Sequence, residues 1–201
     1  MNFEVELKFK IDNTIWNKIL PKLPKNAIIK VTNETDTYYD EEDSFKLTIQ
    51  DKALRIRKTV FVDENSKNPI KEEITYKGPK MSSESKTRRE LNLIINDSDG
   101  FDSLFRELNF KPIMNVNKIR TTYIFTIEEK IEVKLSLDNV KDLGLFIELE
   151  SFSDRVESIT FIENKLKEFW INLLKLSEVP DKKSKISIRE SYLELLKKNS
   201  N

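Results

Sequence analysis

Phe3-Glu4-Val5-Glu6-Leu7-Lys8-Phe9-Lys10-Ile11 decides the fold. Phe3, Val5, Leu7, Phe9 and Ile11 alternate without a break with Glu4, Glu6, Lys8 and Lys10. Successive strand side chains point to opposite faces, so this is a strand with one apolar and one charged face. The same division recurs downstream. Arg55 and Arg57 share a face, as do Lys86, Arg88 and Glu90, with Asn92 continuing theirs. Lys118 pairs with Arg120, Glu132 with Lys134, Ser136 and Asp138, and Glu148 with Glu150, while Lys77 sits near the end of its strand. Two architectures accommodate such faces. An open sheet over a helical layer would turn them to water, where lysine and glutamate are ordinary. A sheet closed into a barrel would turn them inward, with helices covering the apolar outside. Buried charges are costly unless they satisfy one another and a ligand, so a charged interior would be a binding tunnel.

Working outward, Asp12 caps a short helix carrying Ile15, Trp16, Ile19 and Leu20, which Pro21 ends. Strands are expected over 33–40, 46–62, 73–77, 86–95, 118–128, 130–138 and 145–151. Residues 63–69 read as a polar turn, and Gly78-Pro79 as a strand breaker. A helix from 97–100 onward would bury Phe101, Leu104, Phe105 and Leu108. A long helix over about 154–176 carries Ile159, Ile162, Leu166, Phe169, Trp170 and Leu173, and a last helix is expected from Ser187, with Glu190 completing a capping box. Trp16, Phe169 and Trp170 read as core, Tyr38-Tyr39 as packing or strand pairing, Ser191-Tyr192 as helix packing, and Lys182, Lys183 and Lys185 as a solvated loop.

What the chain lacks narrows its chemistry. Its 201 residues include 35 basic and 35 acidic side chains, three glycines, no cysteine and no histidine. Thiolate nucleophiles, imidazole bases, Ser-His triads and sulfur- or histidine-ligated metals are excluded. Any metal must be bound by oxygen, which points to Mg²⁺, Mn²⁺ or Ca²⁺. Gly78, Gly100 and Gly144 are too dispersed for a phosphate-cradling loop. Zero net charge gives no general case for nucleic acid or an anionic membrane. The N-terminus does not read as a signal peptide, and the longest uncharged run, 121–127, is far too short to span a bilayer. A soluble cytoplasmic protein is expected.

If the sheet closes, its interior holds six acids (Glu4, Glu6, Glu90, Asp138, Glu148, Glu150) and eight bases (Lys8, Arg55, Arg57, Lys77, Lys86, Arg88, Lys118, Arg120). That near-balance suits a polyphosphate whose charge a divalent metal mostly cancels. Arginine's planar fork suits phosphate oxygens.

The order of these stretches resembles the CYTH superfamily, the triphosphate tunnel metalloenzymes. Glu4-Val5-Glu6-Leu7-Lys8 is similar to its ExExK signature. Asp36-Thr37-Tyr38-Tyr39-Asp40, Leu54-Arg55-Ile56-Arg57, Thr75-Tyr76-Lys77-Gly78-Pro79, Arg88-Arg89-Glu90, Lys118-Ile119-Arg120, Leu137-Asp138-Asn139-Val140 and the run from Leu143 to Glu150 follow in order. Ser191-Tyr192-Leu193-Glu194-Leu195-Leu196 resembles the ending of the class IV adenylyl cyclase branch. The resemblance implies an α+β fold, a closed eight-stranded antiparallel barrel with helices outside. It implies one domain over 1–201, with motifs in 3–150 and C-terminal helices in 154–198. It implies ATP or another triphosphate inside with Mg²⁺ or Mn²⁺, and it leaves a homodimer open. Carried over by position, Glu4, Glu6, Glu148 and Glu150 would hold metal, with Glu90 and Asp138 as further candidates. Lys8, Arg55, Arg57, Lys77, Arg88, Lys118 and Arg120 would bind the triphosphate, and Glu4, Glu6, Lys8, Lys77, Glu148 and Glu150 would form the catalytic set. Asn92 departs from the pattern, standing where relatives often have an acid. The activity expected first is conversion of ATP to cyclic AMP and pyrophosphate. The alternatives are hydrolysis of inorganic, thiamine or nucleoside triphosphate, and a non-catalytic polyphosphate- or nucleotide-binding module.

Overall fold

The computed structural model describes residues 3–23, 29–41, 44–62, 70–127, 131–177 and 186–199. Eight strands form the barrel: β1 (Phe3–Ile11), β2 (Ile29–Glu41), β3 (Ala53–Phe61), β4 (Ile70–Lys80), β5 (Arg88–Ile95), β6 (Phe110–Thr126), β7 (Glu132–Val140) and β8 (Gly144–Ser153). They close in the order β1-β5-β4-β3-β2-β6-β7-β8, with every neighbouring pair antiparallel. The β1–β5 seam is short. It pairs only Phe3 with Arg89 and Glu4 with Arg88, after which the Lys86 N–H donates to the Glu6 carbonyl at 3.0 Å.

The apolar core lies outside the barrel wall. Val5, Leu7 and Phe9 of β1, Leu135 and Leu137 of β7, and Ile147 and Leu149 of β8 pack on two helices, α1 (Asn13–Ile19) and the α4 helix (Ile159–Leu176). Trp170 of α4 stacks on Phe9 with ring centroids 4.4 Å apart, and Trp16 and Phe169 pack at the margin of this core, as expected. The Asp12 carboxylate caps α1 by accepting from the Ile15 N–H at 2.9 Å. Because β1 covers its apolar side with α4, its charged side can only face the lumen.

Several local expectations are corrected. Residues 46–49 form a short helical turn, α2 (Lys46–Ile49), and the strand begins only at Ala53. The buried Asp40 carboxylate organises that turn, accepting the N–H groups of Leu47 and Thr48 and the Thr48 hydroxyl. Gly78-Pro79 does not end β4. A register shift between Lys77 and Lys80 absorbs the pair as an irregularity, where a strand tolerates proline. On α3 (Ser98–Glu107), Phe101 and Phe105 pack against Tyr39, Ile56 and Ile74, but Leu104 and Leu108 are exposed because the helix covers only a corner of the wall. Ahead of α4, 156–158 form a 3₁₀ turn. The final helix, α5, is Tyr192–Asn199. Its capping box is Ser191 with Glu194, while Glu190 pairs with Lys198. The residues ahead of it form no regular element, and the Ile188 N–H bonds the Lys8 carbonyl at 2.7 Å. The turn expected at 63–69 and the loop with Lys182, Lys183 and Lys185 lie outside the described residues.

Candidate active site: a tunnel lined by ion pairs

The barrel encloses a cavity of about 300 Å³, lined by charged side chains from β1, β3, β4, β5, β6, β7 and β8. Strand alternation puts them there. Glu4, Glu6 and Lys8 lie on one side of β1, and the register sets Glu6 opposite Glu150 and Lys8 opposite Glu148 across β1–β8. Arg55, Arg57, Lys77, Lys86, Arg88, Glu90, Lys118, Arg120, Glu148 and Glu150 line the same space. All of the expected triphosphate-binding residues therefore converge. So do five of the six expected metal-side acids. Asp138 stands behind the lining, where Arg120 donates to it from Nε at 2.7 Å and Nη2 at 2.5 Å and the Tyr192 hydroxyl donates to it at 2.9 Å.

The charges satisfy one another in linked groups. Lys77 Nζ lies between Glu4 at 2.8 Å and Glu90 at 2.6 Å. Lys86 donates to Glu6 at 2.6 Å. Lys8 contacts Glu148 at 3.1 Å and sits 3.7 Å from the centroid of the Tyr192 ring. Arg120 also grips Glu148, and Lys134 reaches Glu150 at 2.6 Å. On the opposite wall Asp36 accepts from Arg55 at 3.1 Å and from Arg57 Nε and Nη2 at 2.5 and 2.7 Å. Glu34 holds Arg57 at 3.0 Å and Lys118 at 3.2 Å.

These contacts shift the titrations. Burial alone would raise Asp36 and Glu34, but the surrounding cations overcome it and hold both well below the usual carboxylate range. For Glu148, burial is likewise outweighed, by Lys8 and Arg120. Glu6 goes the other way: burial and then the Glu148 charge raise its carboxyl, and burial lowers its partner Lys86. Two cationic donors, Arg55 Nε and Arg88 Nε, are buried with no hydrogen-bond acceptor among the described residues.

The donor set suits a hard cation by type, since it consists of carboxylate oxygens in neighbouring-strand pairs. An ammonium already stands where Glu4 and Glu90 jointly favour positive charge. With these ion pairs formed, no three acids among the described residues converge on one metal position. Asn92 accepts a hydrogen bond from the Thr75 hydroxyl at 2.8 Å and lines the cavity without a charge.

Sequence reasoning missed Glu34, Asp36 and Tyr192. The alternation of Glu34, Asp36 and Tyr38 along β2 carried the signal for the first two. Tyr38 lines the cavity as well as packing. Tyr192 is buried against the lumen, so Ser191-Tyr192 does more than pack a helix. Its inward position follows from the segment ahead of α5, which bonds to β1 at Lys8 and which no short-range pattern announces.

Comparison with known proteins gives a consistent picture. The CYTH domain family matches residues 2–192. A Methanocaldococcus jannaschii protein provisionally named an adenylate cyclase is 38% identical over 196 residues, covering 96% of this chain and 97% of that one. The PH1819 structure from Pyrococcus horikoshii superposes with a TM-score of 0.79 at 31% identity, over 98% of this chain and 99% of that one. A Hippeastrum protein described as having a dominant triphosphatase activity shares the fold, with a TM-score of 0.66 at 18% identity, over 99% and 96% of the two chains. Among the described residues no helix is long and apolar enough to cross a membrane.

Proposed function

The chain belongs to the CYTH domain family, and from that premise we propose that it is a metal-dependent adenylyl cyclase that converts ATP to 3′,5′-cyclic AMP and pyrophosphate. The observation that carries a triphosphate in the tunnel is the pair of orphaned buried donors, Arg55 Nε and Arg88 Nε. A buried donor without an acceptor costs roughly 1–3 kcal/mol, and more when charged. Phosphate oxygens would remove that cost. The cyclase reading is supported by the relative provisionally named an adenylate cyclase, which is similar along nearly the whole chain.

In this reading Arg55, Arg57, Lys118 and Arg120 bind the β- and γ-phosphate oxygens, with Lys8, Lys77 and Arg88 completing the cradle. Glu4, Glu6, Glu148 and Glu150 would hold Mg²⁺ or Mn²⁺ once the phosphates draw off their present cationic partners, with Glu90 as a further candidate. The metal would supply charge neutralisation and would acidify the ribose 3′-hydroxyl. The 3′-hydroxyl gives up its proton to solvent, its oxygen forms a bond to the α-phosphorus, the bond from the α-phosphorus to its bridging oxygen breaks, and the electron pair leaves on pyrophosphate. The arginines hold the leaving pyrophosphate and take up its developing charge. Asp138 acts one step back, fixing the Arg120 fork through two hydrogen bonds.

The second reading is hydrolysis of a triphosphate by water in the same tunnel. It is favoured by the cradle itself, whose named groups all address phosphate and none a base. A binding module without turnover is the third. Incubation with ATP or inorganic triphosphate and Mn²⁺ or Mg²⁺, with products separated by chromatography, tests the proposal. Cyclic AMP with pyrophosphate is expected. Orthophosphate without cyclic AMP would give the chain to the hydrolases, and tight binding without turnover to the binding modules.

A further inference from the structure

The inward positions of β8 run Phe146, Glu148, Glu150, Phe152. The two glutamates form the ionic floor, and an aromatic ring stands at each end. At the Phe146 end the ring is fully buried behind the lining and meets Tyr192 edge-on with centroids 5.1 Å apart. The Phe152 end is open, and that ring is 53% exposed although it lines the tunnel. Phe152 also borders a second space, a groove of about 400 Å³ at the rim, where Ile131, Phe161 and Ile162 supply apolar surface. Phe161 is itself 42% exposed.

We propose that Phe152 and this groove form the subsite for the planar organic group of a triphosphate ester, a nucleobase in the case of ATP. The proposal rests on the tunnel binding the triphosphate. The geometry points to one molecule spanning both spaces, because the ring is common to their walls. Phe152 lies opposite Glu4 across β1–β8 and two positions beyond Glu150, about 7 Å along the strand. That step sets the ring beyond Glu150 and beside Glu4 by a length a ribose can span between phosphate and base. Lys134, bonded to Glu150 at 2.6 Å, supplies a cation on the neighbouring strand one step from the ring. A flat π-face suits any base, so this subsite would favour nucleotides over inorganic triphosphate without reading base identity closely.

The test compares two ligands on three proteins. ATP and inorganic triphosphate are titrated calorimetrically into the wild type, Phe152→Ala and Phe152→Tyr. Loss of one base-stacking ring is expected to weaken ATP binding to Phe152→Ala roughly tenfold. Inorganic triphosphate binding should stay within about twofold, and Phe152→Tyr should bind both as the wild type does. Equal weakening of both ligands by Phe152→Ala, or no weakening of ATP, would overturn the subsite. If neither ligand binds the wild type, the tunnel reading fails and the subsite fails with it, a result distinct from the other two.

Discussion

Removing the charge of Asp36 should destabilise the empty protein and make it more dependent on a polyanion. Asp36 is 1% exposed and accepts three hydrogen bonds from Arg55 and Arg57, with Lys118 at 3.9 Å. Asp36→Asn keeps the side chain's shape but leaves Arg57 and Lys118 with Glu34, and Arg55 with Glu90, as the remaining counter-charge. Breaking one partner out of a buried ion pair costs about 3–5 kcal/mol, because the charge left behind is uncompensated. For a chain of this size each kcal/mol lowers Tm by roughly 2–4 °C, so a fall of about 6–20 °C is expected. A ligand at a hundred times its Kd restores about 2.7 kcal/mol. Inorganic triphosphate supplies the missing negative charge, so at one fixed concentration it should raise the variant's Tm more than the wild type's. Thermal melts followed by circular dichroism, with and without inorganic triphosphate, read both effects. A variant melting within about 2 °C of the wild type would refute the claim that these arginines depend on buried counter-charge.

Acid should weaken the fold through the same groups. Glu34 and Asp36 titrate below their ordinary range in the folded chain, because the cations outweigh burial. Their contribution is therefore complete above the unfolded carboxylate value of about 4 and is lost as pH falls below it. Tm measured from pH 7 to pH 2 should drop below about pH 4, and Asp36→Asn should show a shallower drop. Glu148→Gln and Glu6→Gln should each lose metal-dependent turnover by at least about a hundredfold while keeping the wild-type circular dichroism spectrum. Full activity in both would remove them from the metal-side set. Arg57→Ala deletes a charge-assisted donor worth about 1.5–3 kcal/mol, so its affinity for inorganic triphosphate should fall by roughly tenfold or more, as calorimetry would show. Chelation by EDTA should abolish turnover, and added Mn²⁺ should restore it.

Much of this architecture is legible in strand parity. Once Phe3 to Ile11 is read as two-faced, Glu4, Glu6 and Lys8 must share a side, and the same rule places Arg55 with Arg57 and Glu148 with Glu150. What parity cannot say is whether the polar sides meet. That depends on β8 returning to pair with β1 along its whole length, a contact between residues more than a hundred positions apart. The misread pieces share a cause. Residues 46–49 curl because Asp40 offers their N–H groups a carboxylate, and Gly78-Pro79 stays in its strand because the register slips around it. Tyr192 reaches the lumen because the segment ahead of it is tied to β1 by the bond from the Ile188 N–H to the Lys8 carbonyl. In each case a tertiary partner overrode a sound local propensity. Glu34 and Asp36 differ, since their parity was visible and only their importance as counter-ions was not.

The central claim is that the inward cations of the barrel hold a triphosphate. Calorimetric titration of inorganic triphosphate, in the presence of Mg²⁺, into the wild type and an Arg57→Ala/Lys118→Ala double variant tests it most directly. The account predicts saturable binding of one triphosphate per chain by the wild type and loss of most of that affinity in a folded double variant. No heat of binding in the wild type, or equal affinity in both proteins, would contradict it.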